Sequence, residues 1–415
     1  MSASLRVPTA PHRAAPRTSP PPSPSPPPSP SPSPGDATAL LDAYRPGTDR
    51  FLASSRQTLL ASGTAAEVPY DSRPLSARVR EVLDARRRAG DPAPIVVGAL
   101  PFSPDAPPSL AVPQSVSRAS ALCEDPLIAL PGPATEPGTW QTREVPAAAD
   151  YAASVAAAVR RMRAGEFDKV VLARTLELTS SRDLDLPAML RRLAQHDPKG
   201  YTFAVPSGPG RTLVGASPEL LVARSGNVLT ANPLAGSAPR SNDLAEDVRR
   251  AATLLESPKD LHEHAVVVAA VREALAPFCV SLDVPERPTL VRTAAMWHLS
   301  TTVTGTLADP ATSSLDLASA LHPTPAVCGT PTDTARAVIA ESEPFERGAY
   351  TGMVGWQDAD GDGEWVVTIR CAEAEGRSLR LFAGAGVVAA SSPDAETAET
   401  GAKFRTFLSA VGAAL

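Results

Sequence analysis

Beyond residue 146 the apolar and polar positions of this chain fall into the two periods that secondary structure imposes, 3.6 residues for a helix and two for a strand. An amphipathic helix is predicted from Tyr151 to Ala164, then a strand through KVVLARTLEL, a helix through DLPAMLRRLAQH, and strands at TFAVP and TLVGAS. LLVARSGNVLTANP reads as a hairpin turning at Ser225, Gly226 and Asn227, because two β-rich runs flank a glycine-containing pair. A long helix runs from Lys259 to Pro277, and VVTIR alternates as a strand that Arg370 closes. In LFAGAGVV, Gly384 and Gly386 end the next strand at a glycine turn whose amides, unobstructed by Cβ, can meet an anion. A last helix over 394–413 sets Glu396, Glu399 and Lys403, spaced by three and four, on one face. Residues 37–148 carry weaker signals, a helix at SARVREVLDARRRAG and a strand at IVVGALPF. Short turns join strands more often than crossover helices do, which predicts the α+β class with largely antiparallel sheets.

Composition narrows the function. The 415 residues carry a net charge of −6, with no basic run to neutralise phosphates, which argues against nucleic acid or an anionic membrane as the main partner. Cys123, Cys279, Cys328 and Cys371 are far apart and form no CxxC pair, which suits a reducing cytoplasm. The first 36 residues are a Pro/Ser repeat that cannot bury apolar surface, so a disordered tail is expected, dispensable or the product of a misassigned start codon.

Three motifs fail when their spacing is checked. DADGDG at 358–363 begins like a calcium loop, but its twelfth position is Ile369 rather than a bidentate glutamate, so it reads as a hairpin turn. GAGVVA at 384–389 lacks the βαβ unit of a dinucleotide site. HEH at 262–264 has no histidine four residues on, since position 266 is Val. What remains is a set of charges in apolar surroundings, where burial is costly unless they are paired or used. Lys169 heads a strand, where an inward ammonium desolvated by its neighbours becomes a general base, against the plainer reading of a solvated strand end. Glu219, between a turn and two leucines, can be held protonated as an acid, or can simply satisfy backbone donors. Glu263 and Glu399 can supply the two carboxylates of a sparse Mg2+ site, although Glu399 and Lys403 are also an ordinary i,i+4 pair.

In order along the chain, DKVVLAR, GASPELL, NPLAGS, KDLHEH, WHLSTTVTG, LHPTPAVCGTP, EPFERGAYTGMVGW, GEWVVTIRC, LFAGAGVV and ETAETGAK resemble the chorismate-utilising enzymes, most closely the isochorismate synthases of siderophore pathways. The resemblance is close over 150–415 and loose over 37–149. It implies an anthranilate synthase large-subunit-like fold, with antiparallel sheets flanked by helices, in which 37–149 and the catalytic core 150–415 form one structural domain. It implies Mg2+ as cofactor, held by Glu263 and Glu399 with Asp260 and Glu396 in support. Arg370 and the amides of Gly384, Ala385 and Gly386 would grip a substrate carboxylate. Gly236, Ser237, His298, Thr324, Ala326 and Gly329 would line the ring beside Tyr350 and Ile369, with Lys403 either anchoring substrate or pairing with Glu399. Lys169 would deprotonate water for attack at C2 of chorismate, and Glu219 would protonate the departing C4 hydroxyl.

Relatives that use ammonia usually lack the lysine that resembles Lys169 and carry Thr where Ser237 stands, so the resemblance favours water. Ile369 resembles the isomerases, whereas Tyr350 resembles the salicylate synthases, which follow isochorismate formation with pyruvate elimination. That alternative stays open, as does a catalytically silent chorismate-binding protein. Ala238 stands where relatives commonly have arginine, and Arg240 is the nearby substitute. A cytoplasmic monomer is the family-like expectation.

Overall fold

The computed structural model describes residues 33–130 and 139–411; the tail expected at 1–36 lies outside these apart from residues 33–36. A sheet of ten strands and a sheet of nine hold most of the described strands, with a third sheet of three, and among the described residues their strands pair antiparallel. Toward one side of the ten-stranded sheet, Lys169–Ser180 and Ser378–Val388 pair along eleven residues, and Cys371–Glu375, Arg211–Ser217 and Tyr201–Gly208 follow in order across it. The nine-stranded sheet centres on Leu220–Ser225, Gly363–Val367 and Met353–Asp358. Residues 37–149 add strands to both: Asp49–Ala53 pairs with Tyr201–Gly208, Trp140–Val145 with Lys169–Ser180, and Ile95–Leu100 with Met353–Asp358. The α+β class and the antiparallel sheets expected from the sequence are what is observed.

Local chemistry explains the elements. The hairpin at Gly226 and Asn227 forms as predicted, with Ser225 opposite Val228 and Gly226 at φ 60°. The helix Pro258–Leu275 begins where Ser257 accepts from the Asp260 N–H and Pro258 occupies the first turn, a position that needs no donor. DADGDG is the turn between Met353–Asp358 and Gly363–Val367.

Two strand readings need correction. VVTIR does not run as an alternating strand to Arg370: the strand ends at Val367, Gly363–Val367 is buried throughout, and Arg370 sits at φ 51°. The apolar run reflects burial on both faces, and residues 368–370 carry the chain from the nine-stranded sheet to the ten-stranded one. Nor do Gly384 and Gly386 form a turn, because Ser378–Val388 continues through them. Among the described residues no helix is long and apolar enough to cross a membrane, and the four cysteines are free thiols.

Candidate active site

The chain passes between the two large sheets twice in close register. Pro218 and Glu219 connect Arg211–Ser217 to Leu220–Ser225, and residues 368–370 return it from Gly363–Val367 to Cys371–Glu375. The crossings are stitched together, since the Val367 N–H donates to Glu219 O and the Ala216 N–H to Arg370 O. A crossing cannot continue either ladder, so its side chains are free to face the gap between sheets. That gap is a cavity enclosing about 780 Å³, its mouth included.

One wall of the cavity is made by the crossings. Glu219 is 3% exposed, and burial pushes its carboxyl up to about 7 despite the Leu234 N–H, Lys169 and Arg370 acting the other way. Burial also lowers the Arg370 guanidinium from its ordinary value, against the pull of Glu399, Tyr350 and Glu219. His298 has a buried Nε2 with no hydrogen-bond partner among the described residues, and burial, with Arg370 and Lys403 adding to it, holds the ring well below its ordinary value. It is a neutral imidazole aimed into the cavity. Tyr350 stacks on Phe382 at 4.8 Å, and its hydroxyl stands 2.8 Å from where a Cβ on Gly384 would be.

The opposite wall comes from the helices Pro258–Leu275 and Pro393–Val411, and there the acids are paired. Lys169, 1% exposed, places Nζ 2.9 Å from Glu263 Oε1, an ion pair off hydrogen-bond geometry. Lys259 Nζ reaches Glu396 Oε1 at 3.1 Å, and Lys403 Nζ reaches Glu399 Oε1 at 2.6 Å. The Ser237 hydroxyl adds a 3.2 Å bond to Glu399. Burial opposes ionisation of Glu399, but Lys403, Lys259 and Ser237 together hold its carboxyl below the usual value. Burial, and then repulsion from Glu399, raises Glu396. Asp260 is raised by burial, with Glu263 and Glu399 contributing, which marks an excess of negative charge at this wall. Among the described residues no three His, Cys, Asp or Glu side chains converge as a ready-made metal cage. Two cavity-lining glutamates beside an aspartate do fit the sparse demand of Mg2+, which takes one or two carboxylates and leaves its other positions to water and substrate.

Glycines give the walls their closeness. Gly236, at φ 75°, sits in the irregularity between Leu234 and Ser237, and a Cβ there would lie 3.0 Å from that of Asp260. The bulge turns Ser237 toward Glu399. At Gly386 a Cβ would collide with Glu263 Oε1. The amide reading for this strand survives without the turn. Val171 and Ala173, opposite Gly386 and Gly384, send their N–H groups away to Cys328 O and Glu343 Oε1. Both are therefore non-hydrogen-bonded pairs, and Gly384 and Gly386 point their own N–H and C=O groups outward. That edge is open because pairing with Cys371–Glu375 stops at Leu381. Lys403 uses it already, donating to Gly384 O at 2.8 Å.

Glu219, Gly236, Ser237, Asp260, Glu263, His298, Ala326, Tyr350, Ile369, Arg370, Gly384, Gly386, Glu399 and Lys403 all line the cavity. Lys169 does not, but it pairs with Glu263, which does, and its Cε lies 3.3 Å from where a Cβ on Gly386 would be. Thr324, Gly329, Ala385 and Glu396 stand apart from the lining. Thr324 caps the turn to Val327 and Cys328, and Gly329 pairs with Val170. Ala385 has its side chain on the far face of the strand, in the core, and Glu396 is buried behind Lys259. Arg240 does not stand in for the arginine absent at Ala238. It is committed to Asp247 and to Thr293 O, stacked 5.0 Å from the Trp297 ring. Sequence reasoning missed Lys259, although its position four residues before Glu263 puts both on one helix face. It also missed Thr351, a lining residue at φ 58° that no sequence pattern announces.

A family model described as chorismate binding enzyme matches residues 112–412. The chain is 52% identical over 388 residues to isochorismate synthase DhbC of Bacillus subtilis, covering 91% of this chain and 96% of that protein. It superposes on the crystal structure of DhbC from Bacillus anthracis with a TM-score of 0.84 at 48% identity, covering 91% of this chain and 100% of that one. Anthranilate synthase component I from Streptococcus pneumoniae shares the fold alone, with a TM-score of 0.70 at 21% identity over 86% and 92% of the two chains.

Proposed function

This chain belongs to the chorismate-binding enzyme family, and from there we propose that its cavity isomerises chorismate to isochorismate with Mg2+ as cofactor. The observation that carries this reading is Glu219: a buried carboxyl raised to about 7 is a proton donor near neutral pH, facing a wall of paired acids and bases. Water adds at C2 of the ring and gives its proton to Lys169, while Glu219 protonates the hydroxyl leaving C4 and the ring double bonds shift. One water enters and one leaves, so no redox cofactor is required. The ion pair with Glu263 favours the ammonium, so before this step Lys169 has to leave the pair and release a proton to solvent, and the neutral amine then takes the proton from the attacking water.

Glu263 and Glu399 would hold Mg2+, which when bound supplies Lewis-acid charge for a substrate carboxylate. Arg370 and the outward amides of Gly384 and Gly386 take the other carboxylate, where the guanidinium fork fixes orientation as well as charge. Neutral His298 donates or accepts at the ring without adding charge. The working form is a cytoplasmic monomer.

The test is to incubate the pure protein with chorismate and Mg2+, with and without EDTA, and to separate isochorismate from salicylate and pyruvate. Isochorismate alone, lost with EDTA, is expected; no consumption in either condition sinks the reading. The Tyr350 hydroxyl beside Gly384 favours a second reading, pyruvate elimination after isomerisation, which salicylate and pyruvate in the same assay would reveal.

A further inference from the structure

The Lys169–Ser180 strand has a gap in its second edge. On that side Lys169 and Val170 pair with Gly329–Thr330, and Thr175 onward pairs with Trp140–Val145, which leaves 171–174 without a strand partner. The Val171 N–H still finds the backbone Cys328 O, and side chains take the rest. Arg347 donates to Val171 O at 2.7 Å, and Glu343 Oε1 accepts from the Ala173 N–H at 2.8 Å. Arg347 and Glu343 are themselves locked by two bonds of 2.8 and 2.6 Å, with both side chains almost wholly buried.

The same guanidinium reaches further, to Val327 O at 2.8 Å and to the Thr351 hydroxyl at 3.2 Å, with the Phe102 ring 4.6 Å away. Val171, Val327 and Thr351 all line the cavity, whereas Arg347 and Glu343 do not. Thr351 is a non-glycine residue in the left-handed region, a conformation that persists only when its surroundings fix it. His322 Nε2 at its carbonyl, the bond from its N–H to Thr368 O and its hydroxyl donating to Tyr350 O at 2.6 Å are further restraints. A buried ion pair earns little net stability against an apolar pair of the same volume, so its retention here calls for another reason.

We propose that Arg347 and Glu343 form a positioning clamp for the isomerisation, a side-chain rung that completes the sheet edge beside Lys169 and fixes three cavity-lining segments at once. The clamp rests on the isomerase reading for its effect on rate, but its effect on the strand does not. Lysine at 347 keeps the charge and loses the fork, so it cannot serve Glu343, Val171, Val327 and Thr351 together.

Two variants test it, Arg347→Lys and the apolar double Glu343→Leu/Arg347→Met, in the full chain. Three quantities are read: steady-state kinetics with chorismate and Mg2+, the melting temperature, and hydrogen exchange at the Ala173 amide. A displacement of about 1 Å at a reacting group costs up to about a hundredfold. The expected result is a kcat lowered ten- to a hundredfold with KM changed less than threefold, and faster Ala173 exchange while amides of Arg211–Ser217 stay protected. Should the double variant not fold, Arg347→Lys carries the test alone. Unchanged kcat and unchanged Ala173 exchange overturn the clamp, as does a kcat loss that only follows the melting temperature. If the wild type makes no isochorismate, the function reading fails, and Ala173 exchange still decides whether the pair holds the strand.

Discussion

Glu219 and Arg370 on the crossings, with buried His298 on the strand Met296–Ser300 beside them, have no ion pairs among the described residues, whereas by the helices Glu263, Glu396 and Glu399 each face a lysine. Burial alone moves a group toward its neutral form, and an opposite charge moves it back. That side of the cavity therefore holds a carboxyl raised to about 7 and an imidazole held toward its neutral form, suited to exchanging protons and hydrogen bonds with a ring. On the helix wall the neighbouring lysines outweigh burial at Glu399 and hold its carboxyl below the usual value, the form a divalent cation would need. Two adjacent acid sets acquire different chemistry from their neighbours rather than from residue type.

The contrast can be broken by moving charge between the walls. Lys169→Ala should have the largest effect, lowering isochorismate formation by about 10²- to 10⁴-fold, the range of a lost general base, while Mg2+-dependent chorismate binding by calorimetry persists. Glu399→Gln should cost at least the ten- to hundredfold typical of groups that merely support a metal ligand, and should raise the Mg2+ concentration needed for half-maximal rate. Glu219→Gln sharpens the comparison through pH. The wild-type rate should fall as pH rises through about 7, where the donor loses its proton, and the weakly active variant should lack that limb. Stability follows the same sign. A carboxyl near 7 when folded, against its ordinary 4.5, contributes stability in full below about 4.5, and loses it as pH rises through about 7. Urea midpoints across that window should decline less in Glu219→Gln than in the wild type. Lys259→Met should have the smallest effect, a few-fold tighter binding of Mg2+ alone, since it removes a competing cation from partly exposed surroundings. Weaker Mg2+ binding would mean that Lys259 orders Glu396 for the metal instead.

The helix Pro258–Leu275 and the hairpin at Gly226 were legible because their signals are local: a Ser-Pro start, a glycine in a two-residue turn. Glu263, Glu399, Lys169 and Glu219 were legible as charges in apolar text. Arg370 was found, but not its left-handed backbone, because nothing in VVTIR says that the chain changes sheets there. Gly384 and Gly386 were read as a turn for the residue type, yet they serve extended backbone that must pass close to Glu263 and Tyr350. Lys259 and the Arg347–Glu343 rung escaped because their partners lie 137 residues away in one case and on a backbone edge 176 residues distant in the other.

The pairing of Lys169–Ser180 with Ser378–Val388 has a consequence for how the protein is made. Lys169 is added to the growing chain more than 200 residues before Val388, the residue opposite it. Until then its strand lacks its longest neighbour, and neither the outward amides nor Glu399 is present to meet a ligand. If the proposed site is right, ligand binding would begin only when Ser378–Val388 slots between Lys169–Ser180 and Cys371–Glu375.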